Sequence, residues 1–421
     1  MHTIYKLIPN PKARFRIKEK VPIALGNCEE KLASSWVAVP LCAALTVVFV
    51  LICYSVDNVV VEGENRGEAF AWLDGASAWP TIAILFFALL LSVHFIIKSN
   101  YDLRQNAEKL SKFFGLSLQR RTKRSRRFWS RRFCVHARRL WSMWVWDAPP
   151  LTLVGTNSEG RIDVEFLWNQ YVRRGKIWAR FVRTLPMFGL YLSLLFFVSL
   201  LVGFPRMPLL RGHFPFLTLL IFTSCVFLFL TFFVVDATLL HEGFLNQLRH
   251  KESYWPQATF SGFQYPGLRN QQRNESELAY YWDIVLISKR TVAVGNLIYY
   301  PFFILFLIII ARLPCFDNWS WQPAQVVAIT MDFCIALYAA WRIPRAASLY
   351  RDFILGELKK KRRQALMAAA RIPEVVDTIV EDVKSTHKGA FAYLWDQPAV
   401  RALLLPSTGF GLITLLQYIP H

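Results

Sequence analysis

The chain has 421 residues, 54% of them hydrophobic, and a formal net charge of +20. A soluble chain of this length divides into two or three domains with apolar residues spread through them. Here they gather in blocks of about 20, enough to cross a ~30 Å hydrocarbon core at about 1.5 Å per residue. That segregation excludes an ordinary globular enzyme and points to an all-α membrane protein, because only internally hydrogen-bonded segments survive in lipid.

Residues 1–35 form a polar, basic segment (Lys6, Lys12, Arg14, Arg16, Lys18, Lys20, Lys31) without the short apolar core of a cleavable signal peptide. A first hairpin is expected at 36–98, with spans at 36–55 and 79–97. Its outer loop is acidic: Asp57, Glu62, Glu64, Glu68 and Asp74 stand against Arg66 alone. Carboxylates placed there would concentrate cations at a pore mouth, or simply solvate the loop.

A large basic domain follows at 99–184. It opens with an amphipathic helical pattern (Leu103, Ala107, Leu110, Phe113, Phe114) and then becomes very basic. A short β-hairpin is expected from 151–154 and 161–166, and a helix over 167–183 leads into the third span. The second hairpin occupies 185–235, with spans at 185–204 and 214–235. The 236–292 segment is expected to continue the fourth span as a helix through Leu239, Phe244 and Leu248. It should break between Pro256 and Pro266 and re-form before the third hairpin at 293–342, whose spans are 293–312 and 324–341. The C-terminal domain, 343–421, reads as helices at 343–370 and 374–387. It ends in an apolar stretch at 402–419 that Pro406, Gly409 and Gly411 interrupt. That stretch is either re-entrant or a buried or subunit-facing part of the domain.

Orientation follows from lysine and arginine. The segments 1–35, 99–184, 236–292 and 342–421 carry 7, 19, 6 and 12 of them, against only Arg66, Arg206, Arg211 and Arg312 in the other three loops. The positive-inside rule therefore puts both termini of about six spans, arranged in three hairpins, in the cytosol; the expected location is a bacterial inner membrane.

Enzyme signatures are absent. There is no Walker A loop, no G-x-G-x-x-G after a strand and no G-x-S-x-G. His241-Glu242 lacks the second histidine of a zincin, because position 245 is leucine. Seven scattered cysteines without a C-x-x-C spacing suit neither a disulfide framework nor a zinc site. No catalytic residue, cofactor or metal is expected. Asp236, His241 and Glu242, at offsets of five and six, should lie around a solvated helix leaving the membrane.

Two features stand out. Asp332 lies near the centre of the sixth span (Ile329-Thr-Met-Asp-Phe-Cys). A carboxylate there costs at least ~2.5 kcal/mol on insertion scales, so it should face protein or water. It either lines a pore or binds an ion, with Asn296 and Tyr300 of the fifth span beside it, or it is a carboxylic acid bonded to Asn296, Tyr299 or Tyr300. Pro301 should loosen the fifth span near its start.

The second feature is the 120–139 segment, which holds ten basic residues. No acid occurs from Ser111 to Trp146. Arg120, Arg121, Lys123, Arg124, Arg126, Arg127, Arg131 and Arg132 are interleaved with Phe128, Trp129 and Phe133. Guanidinium forks suit phosphates and aromatic rings suit stacking. The segment is a helix on anionic lipid, a site for a nucleotide or a short single strand, or an enlarged orientation signal. The run from Lys359 to Arg363 reads as a solvated juxtamembrane helix.

This basic segment, set against short outer loops, resembles the layout of multi-pass channel effectors of bacterial antiphage defence, in particular the Hailong-type effector. The resemblance implies a tetrameric channel held shut by short single-stranded DNA. With it, the expectation is a homo-oligomeric, cation-conducting channel gated by a phosphate-rich ligand at its basic cytosolic region. The alternatives are a proton-coupled secondary transporter using Asp332 and a membrane scaffold that recruits a cytosolic partner.

Overall fold

The computed structural model describes residues 39–48, 78–117, 160–202, 214–250, 252–256, 259, 275–311, 323–367, 374–392, 397 and 401. Its helices are α1 (Val39–Val48), α2 (Ala78–Phe114), α3 (Val164–Arg174), α4 (Ile177–Val202), α5 (Phe214–Leu248), α6 (Glu275–Asn296), α7 (Tyr299–Ile310), α8 (Pro323–Met367) and α9 (Glu374–Ser385). The chain is an all-α membrane protein: α2, α4, α5, the α6–α7 pair and α8 are each long and apolar enough to cross a bilayer. The ten residues of α1 are the described part of the first expected span.

These helices outrun the membrane. The 37 residues of α2 and the 45 of α8 reach roughly 55 and 67 Å at the helical rise, so about half of each lies outside a ~30 Å core. The projecting ends build a second core. Ala107, Leu110 and Phe114 of the expected amphipathic stripe of α2 are buried there with Trp168, Phe244, Trp255, Trp282 and Tyr350, and Phe113 packs against them, whereas Leu103 joins the core between the spans.

Within the apolar spans the packing centre is α5. It contacts α2, α4, α7 and α8, while α7 lies mainly on α2. The consecutive helices α4 and α5 pack on each other, but α7 and α8 do so only lightly, through the edge-to-face rings of Phe302 and Phe333, 5.5 Å apart. Hydroxyls bridge the spans. Thr81 of α2 donates to the Ala311 carbonyl beyond α7 (3.2 Å), Thr223 of α5 to Leu85 of α2 (3.2 Å), and Tyr191 of α4 to Ala328 of α8 (2.9 Å). Such bonds average about 0.6 kcal/mol in membranes, so they fix register more than they add stability.

Three local expectations are corrected. Strand β1 is only Ile162–Asp163 and pairs in parallel with β2, Ser253–Tyr254. The hairpin expectation fails from 164 onward because the Asp163 carboxylate accepts from the amides of Glu165 and Phe166 and caps α3. The other expected strand, 151–154, lies outside the described residues. The expected 167–183 helix is divided at Gly175, whose amide closes α3 on the Tyr171 carbonyl. Finally, the fifth span tightens locally at 297–300 rather than loosening, and it continues as one span from Glu277 to Ile310. Leu297, Ile298 and Tyr300 make i to i−3 bonds, and Pro301, which has no N–H to give, opens the next helix.

The chain beyond α9 docks on α6. Gly389 has φ +64°, in the left-handed region, and a Cβ there would strike the Ser288 carbonyl oxygen. Ser288 donates to the Lys388 carbonyl (3.1 Å), and the Ala390 amide donates to Thr291 (3.0 Å).

Candidate functional site

Asp332 is 2% exposed, enclosed within a single chain where α4, α5 and α8 converge. Its partner is Thr231 of α5, whose hydroxyl lies 3.1 Å from Oδ2. The same hydroxyl lies 3.2 Å from the Phe227 carbonyl, one turn back on α5. One hydroxyl proton cannot fully satisfy both acceptors. Among the described residues Oδ1 has no hydrogen-bond partner. Tyr191 lies close by, but its hydroxyl is spent on the Ala328 carbonyl, one turn before Asp332. The carboxyl is therefore short of donors on both oxygens, in a place where an uncompensated charge is expensive.

The expected companions of Asp332 lie elsewhere. Asn296 is exposed at the end of α6. The Tyr300 hydroxyl donates to Asp102 of α2 at 2.9 Å, and its ring stacks on Phe95, 4.4 Å between centroids. Tyr300 therefore faces α2. Threonine 231 was missed because a span threonine ordinarily bonds its own helix four residues back, as this one also does.

A belt of buried charge runs where the spans meet the extramembrane core. Arg183 of α4 holds Asp236 of α5 through two bonds, Nε to Oδ1 at 2.7 Å and Nη2 to Oδ2 at 2.9 Å. Arg180, fully buried, stacks 3.6 Å above the Phe233 ring and lies 3.6 Å from the same carboxylate. Arg342 of α8 pairs with Glu242 at 2.7 Å. Arg290 of α6 donates to the Tyr171 hydroxyl (3.0 Å), the Leu103 carbonyl (2.8 Å) and Asn106 (2.8 Å). Asp236, His241 and Glu242 do radiate around α5 as their offsets require, but they are 7%, 0% and 9% exposed. The expectation of a solvated helix is overturned: α3, α4, α6 and α8 supply counter-charges and rings on every side.

A second buried carboxyl, Asp283 of α6, lies about 12 Å along the helix from the twenty residues that end at Ile310, outside the membrane. It accepts from Ser253, from Trp255 Nε1 (3.0 Å) and from the Tyr350 hydroxyl (2.7 Å). Burial pushes its carboxyl up to about 7, against the pull of these three bonds. It ties the β2 segment and α8 to α6.

The remaining expected positions, Arg120, Arg121, Lys123, Arg124, Arg126, Arg127, Trp129, Arg131, Arg132, Asp57, Glu62, Glu64, Glu68 and the 402–419 stretch, lie outside the described residues. Among the described residues no group of three histidine, cysteine or acidic side chains is placed to hold a metal ion. No protein-family model, curated protein or solved structure matches the chain.

Proposed function

We propose that the protein moves ions across the membrane and that Asp332 is the carboxyl that takes up the moving proton or cation. The observation that carries this reading is an enclosed intramembrane carboxyl with Oδ1 unpartnered and Oδ2 sharing one hydroxyl. A proton on Asp332 would complete a chain in which the acid donates to Thr231 and Thr231 donates to Phe227. A small monovalent cation would supply the missing charge instead. A structural acid would be expected to have its acceptors filled, as those of Asp283 are.

Enclosure within one chain supports a site in each protomer. A pore on an oligomer axis needs its carboxylate on the outside of each subunit, and Asp332 faces inward. The basic 120–139 segment, with its phosphate-suited arginines, is the regulatory part of the same proposal: a nucleotide or a short single strand bound there would set the activity of a homo-oligomer in a bacterial inner membrane, termini cytosolic. Planar-bilayer recording of the reconstituted protein separates the modes. Saturable, slow flux without unitary currents is the expected result. Steady unitary currents whose reversal potential is unchanged in Asp332→Asn would instead favour a gated pore elsewhere and remove Asp332 from the path.

A further inference from the structure

The face of α8 that leaves the membrane carries an open groove of about 430 Å³, lined by Trp341, Arg345, Ser348 and Arg351 on the helix and by Phe391 and Gln397 from the docked tail. At 100° per residue the four helix positions fall within one face about 120° wide, and they advance about 15 Å along the axis. The Arg345 guanidinium sits 4.9 Å from the centroid of the Trp341 ring, and that of Arg351 sits 5.5 Å from the Phe391 ring. Neither arginine has a carboxylate within ion-pair reach among the described residues, whereas Arg342 between them and the membrane is paired with Glu242.

Membrane-ward, the same face continues as Cys334, Tyr338 and Trp341, all exposed, with Trp341 at 54%. This is an exposed lane on a spanning helix that ends at Arg345 and Arg351, neither of which has a carboxylate within ion-pair reach among the described residues. We propose that it is a binding site for an anionic phospholipid of the adjoining leaflet. The acyl chains lie along Cys334 and Tyr338, Trp341 sits at headgroup depth, and the phosphate is held between Arg345 and Arg351. Tryptophan favours that depth and arginine forks match a phosphate diester. A soluble phosphate would use the two arginines but would leave the lane and Trp341 bare, which is why a lipid is the better occupant. The site is independent of Asp332.

The test uses the full-length protein in detergent, with native mass spectrometry to read retained lipid and thermal melting to read its effect. Phosphatidylglycerol is expected to remain bound and to raise Tm by more than phosphatidylcholine does. Arg345→Gln with Arg351→Gln should weaken phosphatidylglycerol retention roughly tenfold, and the lysine pair at the same positions should restore part of it. Lys359→Gln with Lys360→Gln, exposed further along α8, should leave retention unchanged. Equal effects of the two lipids on the wild-type protein would overturn the proposal. So would the same Tm increase from inorganic phosphate alone, which would make this a soluble-anion site, or full retention in the glutamine pair.

Discussion

Asp283 and Asp332 are both buried carboxyls, and they differ in how many donors they receive. Asp283 receives three donors from two other segments, so Asp283→Ala strands three buried donors and should cost about 3–5 kcal/mol. Asp283→Asn should fold. Because the folded carboxyl keeps its proton up to about 7 while the unfolded chain releases it near about 4, its contribution is complete below about 4 and is lost as pH rises toward 7. Melting curves between these limits should show that decline, and Asp283→Asn should flatten it; a wild-type Tm that rises steadily over the same window would contradict the assignment. Asp332 has one shared donor, and Asp332→Asn should keep the fold because an amide oxygen still accepts from Thr231. Asp332 was legible in the sequence because a lone carboxylate in a 20-residue apolar block has no ordinary explanation. Its partner was not, because only the crossing of α5 and α8 selects Thr231 from the other span hydroxyls.

At the scale of elements, hydropathy predicted where the spans lie but not which of them touch. Alternating hairpins suggested packing in sequence pairs, yet α5 became the hub, a choice made by side-chain fit that periodicity does not record. The tightening at 297–300 was half legible: Pro301 signalled a disturbance, but the three i to i−3 bonds before it depend on the local backbone. Arg290 joins α6 to α2 and α3 through three hydrogen bonds. Arg290→Ala should lower stability by roughly 2–4 kcal/mol, measurable as a fall in the denaturation midpoint. Gly389 holds the tail to α6 in a conformation that opposes a side chain. Gly389→Ala should cost about 1–2 kcal/mol and release the tail, read as faster amide exchange at Ala390 and Ala392; unchanged protection there would show that the docking does not depend on this glycine.

For the whole molecule, the buried belt provides a check on topology that charge counting alone does not. Residues 103, 180, 183, 236, 242, 290 and 342 sit at the ends of five spans and bond to one another or to the shared extramembrane core. Those five ends therefore lie on one side, as alternating crossings require. The projecting helix ends pack into one body with the spans. The acids of the belt were visible in the sequence, but their burial was not, because offsets along one helix say nothing of the helices that will cover it.

The central claim is that the ion meets Asp332. Its most direct test is cation- and proton-flux measurement in liposomes carrying the wild-type protein, Asp332→Asn or Asp332→Glu at matched incorporation. The account predicts saturable flux in the wild type, loss of at least about tenfold in Asp332→Asn and partial retention in Asp332→Glu. Undiminished flux through a folded Asp332→Asn protein would contradict it.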